Sequence, residues 1–173
     1  MLKKHISRQN IEISLLENIR EELRLAYDDF GDSSTILYST PSFFEYASFI
    51  FEKEKDNFIL YHLHIRDVVS INIENENNFA IIRAIFCHQK DNLRYAFVAV
   101  DWFEKLNRTM LDCPLYRLQT TNINLRRIFS ISLVNASNIV HFVHSCKDGE
   151  CIEGDHDSRN DLYMQNLYFF KTV

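Results

Sequence analysis

Residues 79–103 read FAIIRAIFCHQKDNLRYAFVAVDWF, and the reading of this stretch decides the fold. Branched and aromatic side chains fill 79–87 with Arg83 as the one interruption, and the same composition returns over 95–103, as strands prefer. Between them His88, Gln89, Lys90, Asp91 and Asn92 are turn-prone, so the sequence predicts a hairpin with a five-residue loop. Strict alternation puts Ala80, Ile82, Ala84 and Phe86 on one side and Phe79, Ile81, Ile85 and Cys87 on the other. Both faces are apolar, which is the mark of a strand pair covered on both sides and central to its sheet.

Outward from this hairpin the period changes twice. Upstream, Ile11, Leu15, Ile19, Leu23 and Tyr27 recur every four residues while Glu12, Glu17, Arg20, Glu21, Glu22 and Arg24 occupy the opposite face. That is an amphipathic helix, with Asn10 or Ser14 as cap and Gly31 as its left-handed stop. Residues 1–10 read as a flexible lead-in, and 11–173 as a single β-rich domain. Short strand-like runs follow at 35–39, 46–52, 58–64, 68–73, 115–120, 128–134, 139–146 and 162–170. The segment 43–51, behind Pro41, fits a helix or a strand, and its aromatic content favours the strand. In 127–134, Phe129, Ile131 and Leu133 alternate with Ser130 and Ser132, which predicts a half-buried strand with its serines in water. The expected architecture is mainly β, a partly open or closed β-barrel with the N-terminal amphipathic helix packed outside.

Composition narrows the function classes. A net charge of −5 disfavours a dedicated nucleic-acid grip, which normally carries a basic surplus. Lys3, Lys4 and Arg8, and the pair Arg126 and Arg127, read as solvated surface. Four cysteines in 173 residues make no disulfide framework, and neither an apolar leader nor a membrane-length apolar run is visible, so the expectation is a soluble intracellular protein with no membrane partner. Three glycines leave little to build a phosphate cradle and oblige most turns to use Asn, Asp and Ser. Asp28, Asp29 and Asp32 read as a solvated turn after the helix.

Two constellations carry possible chemistry. In HFVHSCKDGECIEGDHD, residues 141–157, His144, Cys146, Cys151 and His156 offer four ligands to a tetrahedral zinc; four protein ligands make such a site structural, with no open position. A cysteine nucleophile at Cys146 or Cys151 with His144 as base is the weaker alternative, since no oxyanion-forming motif accompanies it. Cys87 and Cys113 are isolated and read as small core residues. At the end of the hairpin, Trp102 and Phe103 stand between Asp101 and Glu104, with Tyr95 seven residues upstream. Aromatic rings beside a carboxylate suit a methylated ammonium.

The segments 80–86 and 95–103 together resemble the central strands of a bromo-adjacent homology (BAH) domain. The likeness spans about 68–146, leaving 147–173 as a C-terminal lobe, and departs from the family where Glu104 and Lys105 replace an arginine-proline pair. The chain is also similar to the C-terminal β-domains of fungal DNA-transposon proteins, in which a strand ending in a DWF-like triplet precedes a VHFVH-like strand and a cysteine-containing tail. The first resemblance implies a BAH-like barrel acting as a non-enzymatic, chromatin-associated interaction module, nuclear, with a basic partner such as a histone tail, and Tyr95, Trp102, Phe103 and Glu104 as a cage. The second implies a transposon-derived accessory domain. The alternative function is a DNA-binding accessory domain with the zinc site in its C-terminal lobe and a basic strip of Arg83, Arg94, Arg126 and Arg127.

Overall fold

The computed structural model describes residues 19–31, 40–54, 57–73, 76–119, 126–135, 140–144 and 162–168. The molecule is mainly β and is built on one long hairpin, β5 (Glu76–Lys90) and β6 (Leu93–Met110). Its turn is shorter than the sequence predicts: His88, Gln89 and Lys90 stay in the ladder opposite Tyr95, Arg94 and Leu93, leaving only Asp91 and Asn92. Both turn residues are left-handed, at φ 50° and 64°. Asp and Asn tolerate that region, and two such residues give a turn whose twist matches the strands.

Strict alternation also fails, because the register shifts between Ile82 and Ala84. The extra residue, Arg83, resets the phase. Ala80, Ile82 and Ile85 therefore share one core cluster, while Ala84 and Phe86 join a second on the opposite face with Phe97 and Ala99. Burial on both faces holds as expected; the partition between faces does not.

The remaining strands are β1 (Ser42–Phe44), β2 (Tyr46–Glu54), β3 (Asn57–His64), β4 (Val68–Ile73), β7 (Cys113–Gln119), β8 (Ile128–Ser130), β9 (Val134–Asn135), β10 (Phe142–His144) and β11 (Leu162–Gln165). Among the described residues, nine form one antiparallel sheet in the order β10-β11-β7-β6-β5-β4-β9, with β1 on β5 and β8 on β6. Since β8 pairs with β6 and β9 with β4, residues 128–135 run from one side of β5 to the other and curl the sheet into a half-barrel. The expected uninterrupted strand over 128–134 is thus two strands broken by a short 3₁₀ turn at Ile131–Leu133. Ser130 is buried, and its hydroxyl accepts a hydrogen bond from the Ser132 amide at 3.2 Å. A serine that bonds the chain two residues on competes with the ladder and breaks it.

Helix α1 (Ile19–Asp28) packs outside the barrel, burying Leu23, Ala26 and Tyr27 on the second cluster. Gly31, at φ 72°, follows it, and its amide donates to the Asp28 carbonyl. The candidate caps Asn10 and Ser14 lie outside the described residues. The segment behind Pro41 is strand, as its aromatics suggest. It forms β1 and then β2, which pairs with β3 as a separate two-stranded sheet. Ala47 and Leu63, directly opposite each other, seat this hairpin on the barrel interior.

Candidate functional site

The β2–β3 hairpin stands off from the main sheet, and a cleft of about 600 Å³ opens beside it. One bank is residues 60–63 of β3, the floor is 66–69 with Asn135, and the other bank is 140–142, leading into β10. Side chains alternate along a strand, so a surface lined by one face takes every second residue. Here the lining residues are consecutive on both banks, and none comes from β2 or β11. The cleft therefore runs along the edge of β3 that faces away from β2, opposite residues 140–142 at the entry to β10. Among the described residues β3 pairs only with β2, and β10 only with β11.

Local hydrogen bonds fix the connection at the cleft floor. The Ile65 amide donates to the Glu45 carbonyl at 3.3 Å, the Arg66 amide to Ile82 at 2.7 Å, and the Asp67 amide to His64 at 3.2 Å. The Asp67 carboxylate accepts from the His64 amide at 2.7 Å and lies 3.5 Å from the His64 Nδ1. Arg66 has φ 78°, a conformation a residue with a β-carbon holds only where its surroundings impose it. The walls combine apolar Leu60, Leu63, Val69 and Phe142 with polar His62, Arg66 and His141. The Asn166 amide donates to the His141 carbonyl at 2.7 Å, so the exposed Leu167 and Tyr168 continue directly from that bank. Ile50 and Leu60, paired across the hairpin, are 67% and 57% exposed.

The structure separates the residues of the expected aromatic cage. Trp102 is only 8% exposed, donates its indole N–H to the Arg126 carbonyl at 2.7 Å and meets Phe129 edge-on inside the barrel. Phe103 stacks on Phe142 at 4.5 Å in a third cluster. Tyr95 lies under the helix, 5.0 Å from both Tyr27 and Phe30. Glu104 is exposed opposite Arg117. Adjacent strand residues face opposite ways, and seven positions of strand span about 23 Å, so these rings do not converge. Of the expected zinc ligands, His144 ends β10 with its ring 4.9 Å from Tyr163, and Cys146, Cys151 and His156 lie outside the described residues.

Three of the four arginines of the expected basic strip are held by carboxylates. Asp101, whose side chain is fully buried, accepts from Arg83 Nε at 2.6 Å and from Arg127 Nη2 at 2.5 Å. Arg126 is ion-paired with Asp29 and lies over the Phe129 ring at 4.4 Å, and the Arg127 amide donates to Glu22 at 2.8 Å. These bonds tie the helix to β8. Arg94 alone of the four is exposed. Cys87 and Cys113 are free thiols; burial pushes the Cys87 thiol up, with Arg94 pulling it partly back.

Fold and cleft together define a helix-capped, curled antiparallel sheet carrying a groove between strand edges. Comparison with protein-family models, curated proteins and solved structures finds no match to this chain. Among the described residues no helix is long and apolar enough to cross a membrane. The cleft had no distinguishing signal in the sequence. It is lined by residues 60–63, 66–69, Asn135 and 140–142, which are distant in sequence and meet only in the folded chain.

Proposed function

We propose that this chain is a non-enzymatic protein-interaction module, and that the cleft between β3 and β10 binds an extended segment of another protein. The observation that carries this reading is the lining by four consecutive residues of the β3 edge beside apolar walls. Such an edge offers main-chain hydrogen bonds to an added strand, and alternate side chains supply selectivity. A volume of about 600 Å³ is in the range of built ligand sites.

The test is an amide NMR titration with capped seven-residue peptides of alternating threonine and valine. Shifts centred on 60–69 and 140–142, and their loss in His141→Trp, which fills the cleft from an exposed position, are the expected result. Shifts scattered elsewhere, or no binding by any peptide, would remove the cleft from consideration.

A second reading keeps the BAH-like, chromatin-associated and nuclear character, with a basic segment such as a histone tail as partner and a transposon-derived origin. One observation favours it, the net charge of −5, which draws a basic partner over long range. Lysine and trimethyl-lysine peptides in the same titration test it, at a surface other than the separated cage residues.

A further inference from the structure

The geometry points to a site for a divalent late transition metal, of the zinc, copper and nickel class, on the outward face of the β2–β3 hairpin, with His62 and His64 as its ligands. This site does not rest on the cleft binding a protein segment.

It starts from the period of the strand. His62 and His64 lie two positions apart on β3, so their side chains leave the same face about 6.7 Å from each other. Leu63 between them is buried in the core opposite Ala47. That turns both histidines outward, and both are exposed. Imidazole nitrogens bind zinc at about 2.1 Å, and two rings at this spacing reach one ion from the same side.

Both rings are prepared for ligation through the same nitrogen. A histidine that ligates through Nε2 carries its proton on Nδ1, and a partner for that proton fixes the tautomer and the orientation of the ring. Ser48, directly opposite His62, places its hydroxyl 2.8 Å from the His62 Nδ1. Asp67 serves His64: its carboxylate is anchored by the His64 amide at 2.7 Å and lies 3.5 Å from the His64 Nδ1. Tyr46, opposite His64, sets its ring 6.0 Å from that imidazole. An oxygen therefore faces Nδ1 on each ring, which leaves Nε2 on each as the atom that donates to a metal.

The donor set decides the class of ion. Neutral imidazole suits zinc, copper and nickel, whereas calcium and magnesium take oxygen ligands. Among the described residues no three His, Cys, Asp or Glu side chains gather to hold a metal, so the pair supplies two ligands and water fills the other positions. Such a site exchanges its ion readily, unlike a four-ligand structural site.

The experiment follows the imidazole nitrogens by proton–nitrogen NMR of the isotope-labelled chain during titration with zinc chloride. The readout is resolved by residue, so zinc held elsewhere on the chain does not enter it. The Nε2 resonances of His62 and His64 should shift along one shared binding curve, and calcium or magnesium should shift neither. His62→Ala should weaken the response at His64 at least about tenfold, and His64→Ala the response at His62, because the second ligand binds intramolecularly. Both positions are exposed, where substitution rarely disturbs the fold, and an unchanged urea midpoint checks this. Ser48→Ala and Asp67→Asn remove the partner of Nδ1, and asparagine still accepts from the His64 amide. Each should lower the affinity about tenfold. Without metal, each should also move the facing ring from the Nδ1–H tautomer to a mixture, a change that a merely structural role would not produce. Independent curves for the two rings, or a His62 response indifferent to His64→Ala, would overturn the site and leave an adventitious ion only. Unchanged affinity and tautomer in both Ser48→Ala and Asp67→Asn would overturn the preparation of the rings. No zinc shift at either histidine would overturn the whole inference.

Discussion

The β5–β6 centre and the β2–β3 hairpin are both antiparallel pairs rich in aromatic and branched residues, yet they end in opposite conditions. β6 has β5 along one edge and β8 and β7 in succession along the other, with apolar clusters on both faces. The charges embedded there answer each other, Arg83 and Arg127 on Asp101. Among the described residues the hairpin has one strand partner per strand, is seated through Ala47 and Leu63, and turns Ile50 and Leu60 outward. The centre has satisfied its hydrogen-bonding and burial needs within the chain. Among the described residues the hairpin keeps an outer strand edge and two exposed aliphatic side chains, which is why the proposed binding is placed there.

The largest expected effect tests the first half of that contrast. Phe97 is fully buried and packs against Tyr27, Phe30 and Phe86, so Phe97→Ala should cost about 4 kcal/mol through lost contact and a cavity. Ile50→Ala should stay within about 0.5 kcal/mol. Urea unfolding, compared at equal m-value, reads both. Comparable losses at the two sites would mean that Ile50 is covered in solution and that the contrast is false.

Next in size is the charged junction within the centre. Asp101→Asn keeps the shape but leaves Arg83 and Arg127 without the buried carboxylate that both contact. Removing one member of a buried ion cluster typically costs about 3 kcal/mol or more. The loss should appear in the same urea series. A change under about 1 kcal/mol would show that solvent already compensates the two guanidiniums, and would return them to the surface strip that nucleic acid could use.

The sequence made the centre legible because its signal is compositional, two apolar runs with a polar break. The helix was legible because Leu23, Ala26 and Tyr27 fall on one stripe and do pack inward. Phase was not legible, since an added residue at Arg83 changes faces without changing composition. Nor was the break at Ser130, where one side-chain hydrogen bond overrides an alternating pattern. The cage could have been doubted from sequence alone, as consecutive Trp102 and Phe103 cannot share a face of a regular strand. The cleft could not have been found, because Arg66 and His141, 75 positions apart, line one channel only once the chain is folded.

The smallest effect locates the end of the doubly covered centre. Cys87 sits on β5 between Ser42 of β1 and Ala96 of β6 and is half-buried. Burial raises its thiol above the ordinary value of 9.0, the coulombic pull of Arg94 opposing it. The folded protein then holds this proton more tightly than the unfolded chain does. Stability is unaffected by this group below the unfolded value, falls as pH rises through it, and levels off once the folded thiol also ionises. Cys87→Ala should therefore differ from wild type by a constant offset near neutrality and by a shrinking one above about pH 9, where the wild type alone loses stability through this thiol. Urea midpoints of both proteins across that range measure the difference. An offset that stays constant through the alkaline limb would mean that the thiol ionises equally in both states, and that the covered centre stops short of Cys87.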